Sequence, residues 1–210
     1  DPIGMTGTRL EILANVVSAM GPYISNLQKA SELATVAPNA MVPSAMAAAK
    51  AVLNESQIES GVAVIDMGGA TTSVAVFEEG DLQYVGVVPM GGANITNDLA
   101  IGLKADPEIA EKVKIQHSVA VARKENEGVS IKQDNEILTF NTSEIDEIVE
   151  ARLEEIFELV NVELKKAGRA GQLPSGVVRV GGTSNLKAIA EFAKEHLGVA
   201  ARMGKATGFG

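Results

Sequence analysis

Gly61-Val-Ala-Val-Ile-Asp66-Met-Gly68-Gly69-Ala-Thr71-Thr72-Ser-Val-Ala-Val-Phe77 is the stretch on which the fold turns. Val62–Ile65 is a short apolar run of the kind that makes a buried strand. Asp66 stands at its end, and two glycines and two threonines follow before Val74–Phe77 leaves as a second strand, closed by the polar turn Glu78–Asp81. Gly68 and Gly69 permit positive φ and close approach, so that successive backbone N–H groups can line one concavity, with the Thr71 and Thr72 hydroxyls at its rim. Such donors suit a phosphate, and Asp66 suits the water shell of a magnesium ion. An isolated Asp-x-Gly-Gly equally makes a plain hairpin with Asp66 as its cap, so the rest of the chain has to decide.

Outward from that turn, Asp1–Gly7 reads as a turn-rich lead-in, Arg9–Met20 as a strand, Tyr23–Leu33 as a helix with Ile24, Leu27, Ala30 and Leu33 on one face, and Pro43–Leu53 as an Ala-rich helix. Leu82–Pro89 pairs back as a third strand. A second unit starts near Asn94, with a short helix over Asn94–Leu103. Asp106-Pro107 then offers an N-cap and a proline at the first position of another helix. Short strands are expected at Val129–Ile131 and Ile137–Phe140. Ser143 opens the longest helix, with Asp146 as a near capping box. Its stripe is Ile145, Ile148, Val149, Leu153, Ile156, Phe157, Val160 and Leu164. Gly171–Ser175 links back to a buried strand at Val177–Val180, a second glycine turn at Gly181–Asn185, and a helix over Leu186–His196. Strand, Gly-Gly-Thr, helix places a ligand phosphate against a helix N-terminus.

The bulk of the sequence narrows the function. In 210 residues aromatics make up only 3%, so Ala, Val, Ile and Leu must build the core. The net charge of -9 argues against nucleic acid or anionic membrane as a general partner. With no cysteine and two well-separated histidines, His117 and His196, neither disulfides nor a Cys/His metal centre is available. No apolar run is long enough to span a bilayer. The start at Asp-Pro, without an initiator Met, reads as a fragment or a processed chain.

The two glycine turns and the helical insert between them resemble the actin-like ATPase superfamily. Asp66–Thr72 is similar to its second phosphate motif and Val180–Ser184 to its adenosine motif. More narrowly, Gly91-Gly92-Ala93-Asn94-Ile95-Thr96-Asn97-Asp98-Leu99-Ala100-Ile101-Gly102-Leu103, Ala110–Lys114, Asp1–Met5, Arg9–Glu11 and Ala151–Phe157 resemble the FtsA family of bacterial cell division. The resemblance implies an α/β, actin-like (ribonuclease H-like) mixed sheet with flanking helices. Residues 1–92 and 172–210 would form subdomain IIA, and 93–171 an inserted helix-rich α+β subdomain IIB. It also implies that a first lobe, carrying the other phosphate loop, and a C-terminal membrane-tethering helix lie outside this sequence.

The same resemblance implies a site. Asp66, Gly68, Gly69, Thr71, Thr72, Gly181, Gly182 and Thr183 would hold ATP, Glu111 and Lys114 its ribose and base, and Asp66 a magnesium ion through water. Read without it, Glu111 and Lys114 are a solvated helix pair. Ala70, Ser73 and Ser118 depart from the family pattern. Val42 or Ser44 stands where a water-positioning Glu is usual, so ATP hydrolysis is expected to be slow at most and no catalytic residue is assigned. The expected role is a scaffold of the division ring at the inner face of the cell membrane, self-associating into filaments and binding the C-terminal peptide of FtsZ through Arg152, Arg123 and Lys124. A pilus-assembly scaffold of the PilM type and a small-molecule kinase of the same fold are the alternatives.

Overall fold

The computed structural model describes residues 4–9, 11, 14–133 and 136–206. By internal contacts the chain divides into two units, Asp1–Met41 and Val42–Gly210.

In the first unit, Pro22 stands in the opening turn of helix α1 (Gly21–Leu33), where its missing N–H costs nothing. The expected helix is present, but no residue of it is buried, and Leu27 and Leu33 are open to solvent. The strand expected over Arg9–Met20 is absent from the described residues of that stretch. They are exposed throughout, Val16 at 89%, so no covered apolar face rewards an extended ladder there.

The second unit is built on a five-stranded sheet of β1 (Val62–Met67), β2 (Thr72–Glu78), β3 (Asp81–Val88), β6 (Val177–Val180) and β7 (Ala201–Met203), in the order β3-β2-β1-β6-β7. The β1–β2 and β2–β3 pairs are antiparallel, while β1–β6 and β6–β7 are parallel. The apolar run of β1 is covered on both faces. Ala63, Ile65 and Met67 belong to the main core, whereas Val62 and Val64 pack with Ala49 of helix α2 (Ser44–Val52), Leu53 and Val178. Period-two alternation hides inside an all-apolar sequence because both sides are dry.

Helix α3 (Glu55–Ser60) follows α2 behind a reciprocal cap: Asn54 Oδ1 accepts from the Gln57 N–H, and Gln57 Oε1 from the Asn54 N–H, both at 2.9 Å. After β3 come α4 (Gly92–Gly102), α5 (Pro107–His117), a hairpin of β4 (Gly128–Gln133) and β5 (Glu136–Asn141), and α6 (Thr142–Lys166), which buries all of its expected stripe except Ile148, half-buried at its edge. One apolar cluster runs without a seam from Ile65 and Val74 in the sheet to Leu99 in α4 and Leu153 in α6.

Both expected helix caps take other forms. Asp106 precedes Pro107, but its side chain caps nothing. Asp146 is no capping residue, because α6 starts at Thr142 and Asp146 is buried within it, paired with Arg123. Helix α7 (Ile189–Leu197) opens three residues later than its sequence indicates, after a 3₁₀ turn over Gly182–Asn185 and a left-handed Ala188. Phe192 of α7 meets Phe157 of α6 edge to face, with ring centroids 5.5 Å apart.

Candidate nucleotide site at the two glycine turns

The parallel pairing of β1 with β6 sets Asp66 opposite Val180, so the two glycine turns leave the sheet side by side. Their contact demands glycine at one place above all. Gly181 has φ +86, and a β-carbon there would stand 2.5 Å from the Met67 carbonyl oxygen and 2.8 Å from Asp66 Oδ1. Gly68 and Gly69 are different: neither adopts the positive φ their sequence suggests. The first turn is held through its carbonyls. Gly68 O accepts from the Gly92 N–H at 2.9 Å and from Thr183 Oγ1 at 2.9 Å, and Gly69 O from the Ala93 N–H at 2.8 Å. The start of α4 is therefore sewn to the first turn, and Thr183 sews the second turn to the first.

Between these elements lies a cavity of about 420 Å³. It is lined by Gly69 and Gly92, by Glu111, Lys114 and Ile115 of α5 with Ser118 just after it, and by Gly182, Thr183 and Asn185–Lys187. Five expected ligand residues thus face one space: Gly69, Glu111, Lys114, Gly182 and Thr183. Asp66, Gly68, Thr71, Thr72 and Gly181 do not line it. Asp66 is half-buried at the end of β1 and Thr71 is exposed beside the turn. Thr72 is not a rim donor, because it is fully buried and its hydroxyl donates to Met90 O at 2.9 Å. Sequence alternation carries that signal: Thr72 shares a strand face with Val74 and Val76, which are core. Ile115, Asn185, Leu186 and Lys187 are lining residues that no motif singles out. Ile115 is 72% exposed, an apolar surface open at the cavity.

Lys114 does not stand free in the cavity. Its ammonium donates to Glu111 Oε2 at 2.6 Å, Thr96 Oγ1 at 2.8 Å and Gly92 O at 3.1 Å. Burial pushes the Glu111 carboxyl upward, but the hydrogen bonds from Lys114 and Thr96 and the lysine charge outweigh it and hold the group below its ordinary range. At the far end of α5, burial and then the Arg123 and Lys187 charges push His117 down, which favours the neutral ring. Among the described residues no three His, Cys, Asp or Glu side chains gather into a metal site. Asp66 alone fits a magnesium ion only through that ion's bound water.

The expected partner residues lie elsewhere and are engaged. Arg152 on α6 reaches Asp98 of α4 with Nε at 2.5 Å and Nη2 at 3.0 Å, and Glu155 with Nη1 at 2.5 Å. These residues border a groove of about 340 Å³ with Ile101, Gly102, Ile148 and Ala151. Arg123 clamps buried Asp146 bidentately, at 2.8 and 2.5 Å, because a carboxylate that is 1% exposed requires a charged donor. It is therefore a structural residue rather than a free basic group. Lys124 is exposed and makes no ion pair among the described residues. No helix among those residues is long and apolar enough to cross a membrane.

A mixed sheet with helices on both faces, and two glycine turns beside a cavity, defines the actin-like class. An MreB of Spiroplasma citri bound to ADP superposes with a TM-score of 0.74 at 17% identity, over 89% of this chain and 61% of that one. The PilM–PilN type IV pilus biogenesis complex gives 0.65 at 18% identity, over 86% and 46%. These likenesses establish the fold. The family model of the cell division protein FtsA matches residues 63–209, and the chain belongs to the FtsA family. It is 33% identical to the cell division protein FtsA of Pseudomonas aeruginosa over 97% of its own length and 50% of that protein. With that of Bacillus subtilis it is 36% identical, over 94% and 46%. The chain spans about half the length of these relatives.

Proposed function

We propose that the cavity is one wall of an ATP site, that ATP enters it with magnesium, and that the nucleotide serves assembly at the division ring rather than rapid turnover. The carrying observation is the meeting of two glycine turns with Glu111 and Lys114 around one 420 Å³ space. In this reading the phosphates lie over Gly69 and Gly182, with Asp66 holding a magnesium-bound water. The sugar and base lie between α5 and Leu186–Lys187, where exposed Ile115 gives an apolar face. No carboxylate stands at Val42 or Ser44 to position an attacking water, which supports slow hydrolysis at most.

The chain matches half of its curated relatives, so we place the second wall in the remaining half of such a protein. A phosphate held on one side keeps its water contacts on the other, and little net affinity remains. Calorimetry with Mg-ATP tests this: these 210 residues bind weakly or undetectably, and a protein extended to the length of the relatives binds at least tenfold more tightly. Micromolar binding by the 210 residues alone would show the site to be misplaced.

Self-association into filaments and docking of an acidic-apolar FtsZ tail in the Asp98–Arg152 groove belong to the same reading, as does a place at the inner face of the membrane. The MamK double helical filament, with a TM-score of 0.69 at 16% identity, supports only that this fold can build such assemblies. In the groove, Arg152→Glu weakens binding of the tail about tenfold or more, since reversing a desolvated charge pair costs at least about 2 kcal/mol. Asp98→Asn, which removes one of the two internal ion pairs of Arg152 and leaves that with Glu155, strengthens it. Unchanged affinity in both variants removes Arg152 from the interface. The division into subdomain IIA, 1–92 with 172–210, and an inserted subdomain IIB, 93–171, is likewise a proposal about how the fold is built, and the apolar cluster shared by the sheet, α4 and α6 counts against a sharp boundary between them.

A further inference from the structure

Helix α4 borders both the cavity and the groove. Gly92, at its first turn, lines the cavity, whereas Asp98, Ile101 and Gly102 line the groove. The groove residues lie about 9–15 Å from Gly92 along the helix at 1.5 Å per residue. Each end is fixed by contacts that leave little slack. At the start, the Gly92 and Ala93 N–H groups are bonded to Gly68 and Gly69 O. A β-carbon on Gly91 would lie 2.6 Å from both of those carbonyl oxygens, and one on Gly92 would collide with Thr183 Oγ1. At the other end, Gly102 lies so close to α6 that a β-carbon would collide with Ile148 Cδ1, and Asp98 holds Arg152 with two hydrogen bonds.

One contact between these fixed ends is not committed to a single partner by its chemistry. The Lys114 ammonium belongs to α5 and lines the cavity, yet two of its three acceptors, Gly92 O and Thr96 Oγ1, belong to α4. Glu111, its third, is the side chain beside it in the cavity wall. An ammonium has three donors and swivels readily, so an anionic or hydroxyl-rich ligand competes for it directly. We propose that α4 is a strut joining the cavity to the groove, with the Lys114 ammonium as its switch. Through Gly92 O and Thr96 Oγ1, Lys114 holds the first turn of α4 against α5. A ligand that draws the ammonium away leaves the Thr96 hydroxyl on Glu111 Oε2 as the side-chain tie between α4 and α5, and α4 shifts where it crosses α6 at Gly102 and Ile148. Because α4 is rigid and tightly packed at both ends, a small displacement at one reaches the other. Coupling of this kind is reciprocal, so an occupant of the groove changes the affinity of the cavity by the same factor.

The inference rests on the nucleotide reading for the identity of the ligand, but not for the strut itself, and the test separates the two. The readout is the isoleucine δ1-methyl spectrum of the 210-residue chain, with Ile115 reporting on the cavity and Ile148 on the α4–α6 crossing. Lys114→Met removes the switch without any ligand and should shift the Ile148 resonance. Thr96→Val, which takes away one acceptor on α4, should shift it along the same line. Tyr84→Phe is the control: it removes a hydrogen bond to Glu163, also on α6 but away from the crossing, and should leave Ile148 in place. In a protein of the relatives' full length, Mg-ATP at millimolar concentration should move Ile115, and move Ile148 toward its position in Lys114→Met. If Mg-ATP moves neither methyl while both variants move Ile148, the strut stands and the nucleotide assignment fails. If Ile148 stays put in both variants, or if Mg-ATP moves Ile115 alone, the strut is overturned.

Discussion

The two glycine turns read alike in sequence and are built differently. At Gly181-Gly182 the fold demands glycine at the first position, where Gly181 has φ +86 and is pressed against Met67 and Asp66, while a β-carbon on Gly182 would meet nothing within 4 Å. At Gly68-Gly69 neither residue is left-handed; a β-carbon on Gly68 would come within 3.1 Å of Thr71 O, and one on Gly69 would meet nothing within 4 Å. The tight approach at the first turn lies on the facing chain, at Gly91, which sits on the Gly68 and Gly69 carbonyls. A Gly-Gly pair therefore carries two different messages, and conformational freedom is only one of them.

Substitution separates the messages, and the largest effect falls on Gly181. Gly181→Ala has to relieve a left-handed backbone and a collision with main-chain atoms that cannot swing aside, so a loss of about 3 kcal/mol or more is expected. Chemical denaturation measures it, and a loss below about 1 kcal/mol would show that the turns separate easily. Gly91→Ala comes next. Its backbone is extended, so only the approach to Gly68 and Gly69 O is at stake, and about 1–3 kcal/mol is expected from the displaced turn. A smaller effect than for Gly181→Ala sharpens the contrast. A larger one would move the critical contact to α4.

The hydroxyls are graded in the same way. Thr183→Val takes one of two donors from Gly68 O, and because the other remains, about 1 kcal/mol is expected. Thr72→Val removes the hydrogen bond to Met90 O from a residue with no exposure, leaving that carbonyl short of a donor, and should cost about 1–3 kcal/mol. Equal losses would mean that the link between turns matters as much as the buried bond within one.

How far these differences were legible in the sequence follows from what each one depends on. The strands of the first turn and the stripe of α6 were readable because they rest on local periodicity, and Ile145 through Leu164 falls where that period puts it. Helix α3 was missed although Asn54 and Gln57 spell its cap, because six residues give too little period to notice. The role of Asp146 was misread because its partner, Arg123, is 23 residues away and no local rule pairs them. In the site, Glu111 and Lys114 are marked by a motif. That Lys114 already holds α4 is not readable, since it depends on where Gly92 and Thr96 arrive in space. Leu186 and Lys187 line the cavity only because α7 begins late, after the 3₁₀ turn.

The smallest expected effect on stability is the most informative about function. Gly69→Ala meets no neighbour and requires no left-handed backbone, so the fold offers no reason for glycine at this position. Alanine restricts the unfolded chain more than glycine does, and the variant should be unchanged or more stable by up to about 1 kcal/mol. Gly69 nevertheless lines the cavity. If a phosphate lies against its backbone, an added methyl group stands where the ligand must come closest, and affinity for Mg-ATP falls in a protein of the relatives' full length. Unchanged stability with weakened binding would assign Gly69 to the ligand, as Gly181 is assigned to the fold. Unchanged binding would leave Gly69 with no demand for glycine from fold or ligand, and would move the phosphates toward Gly182.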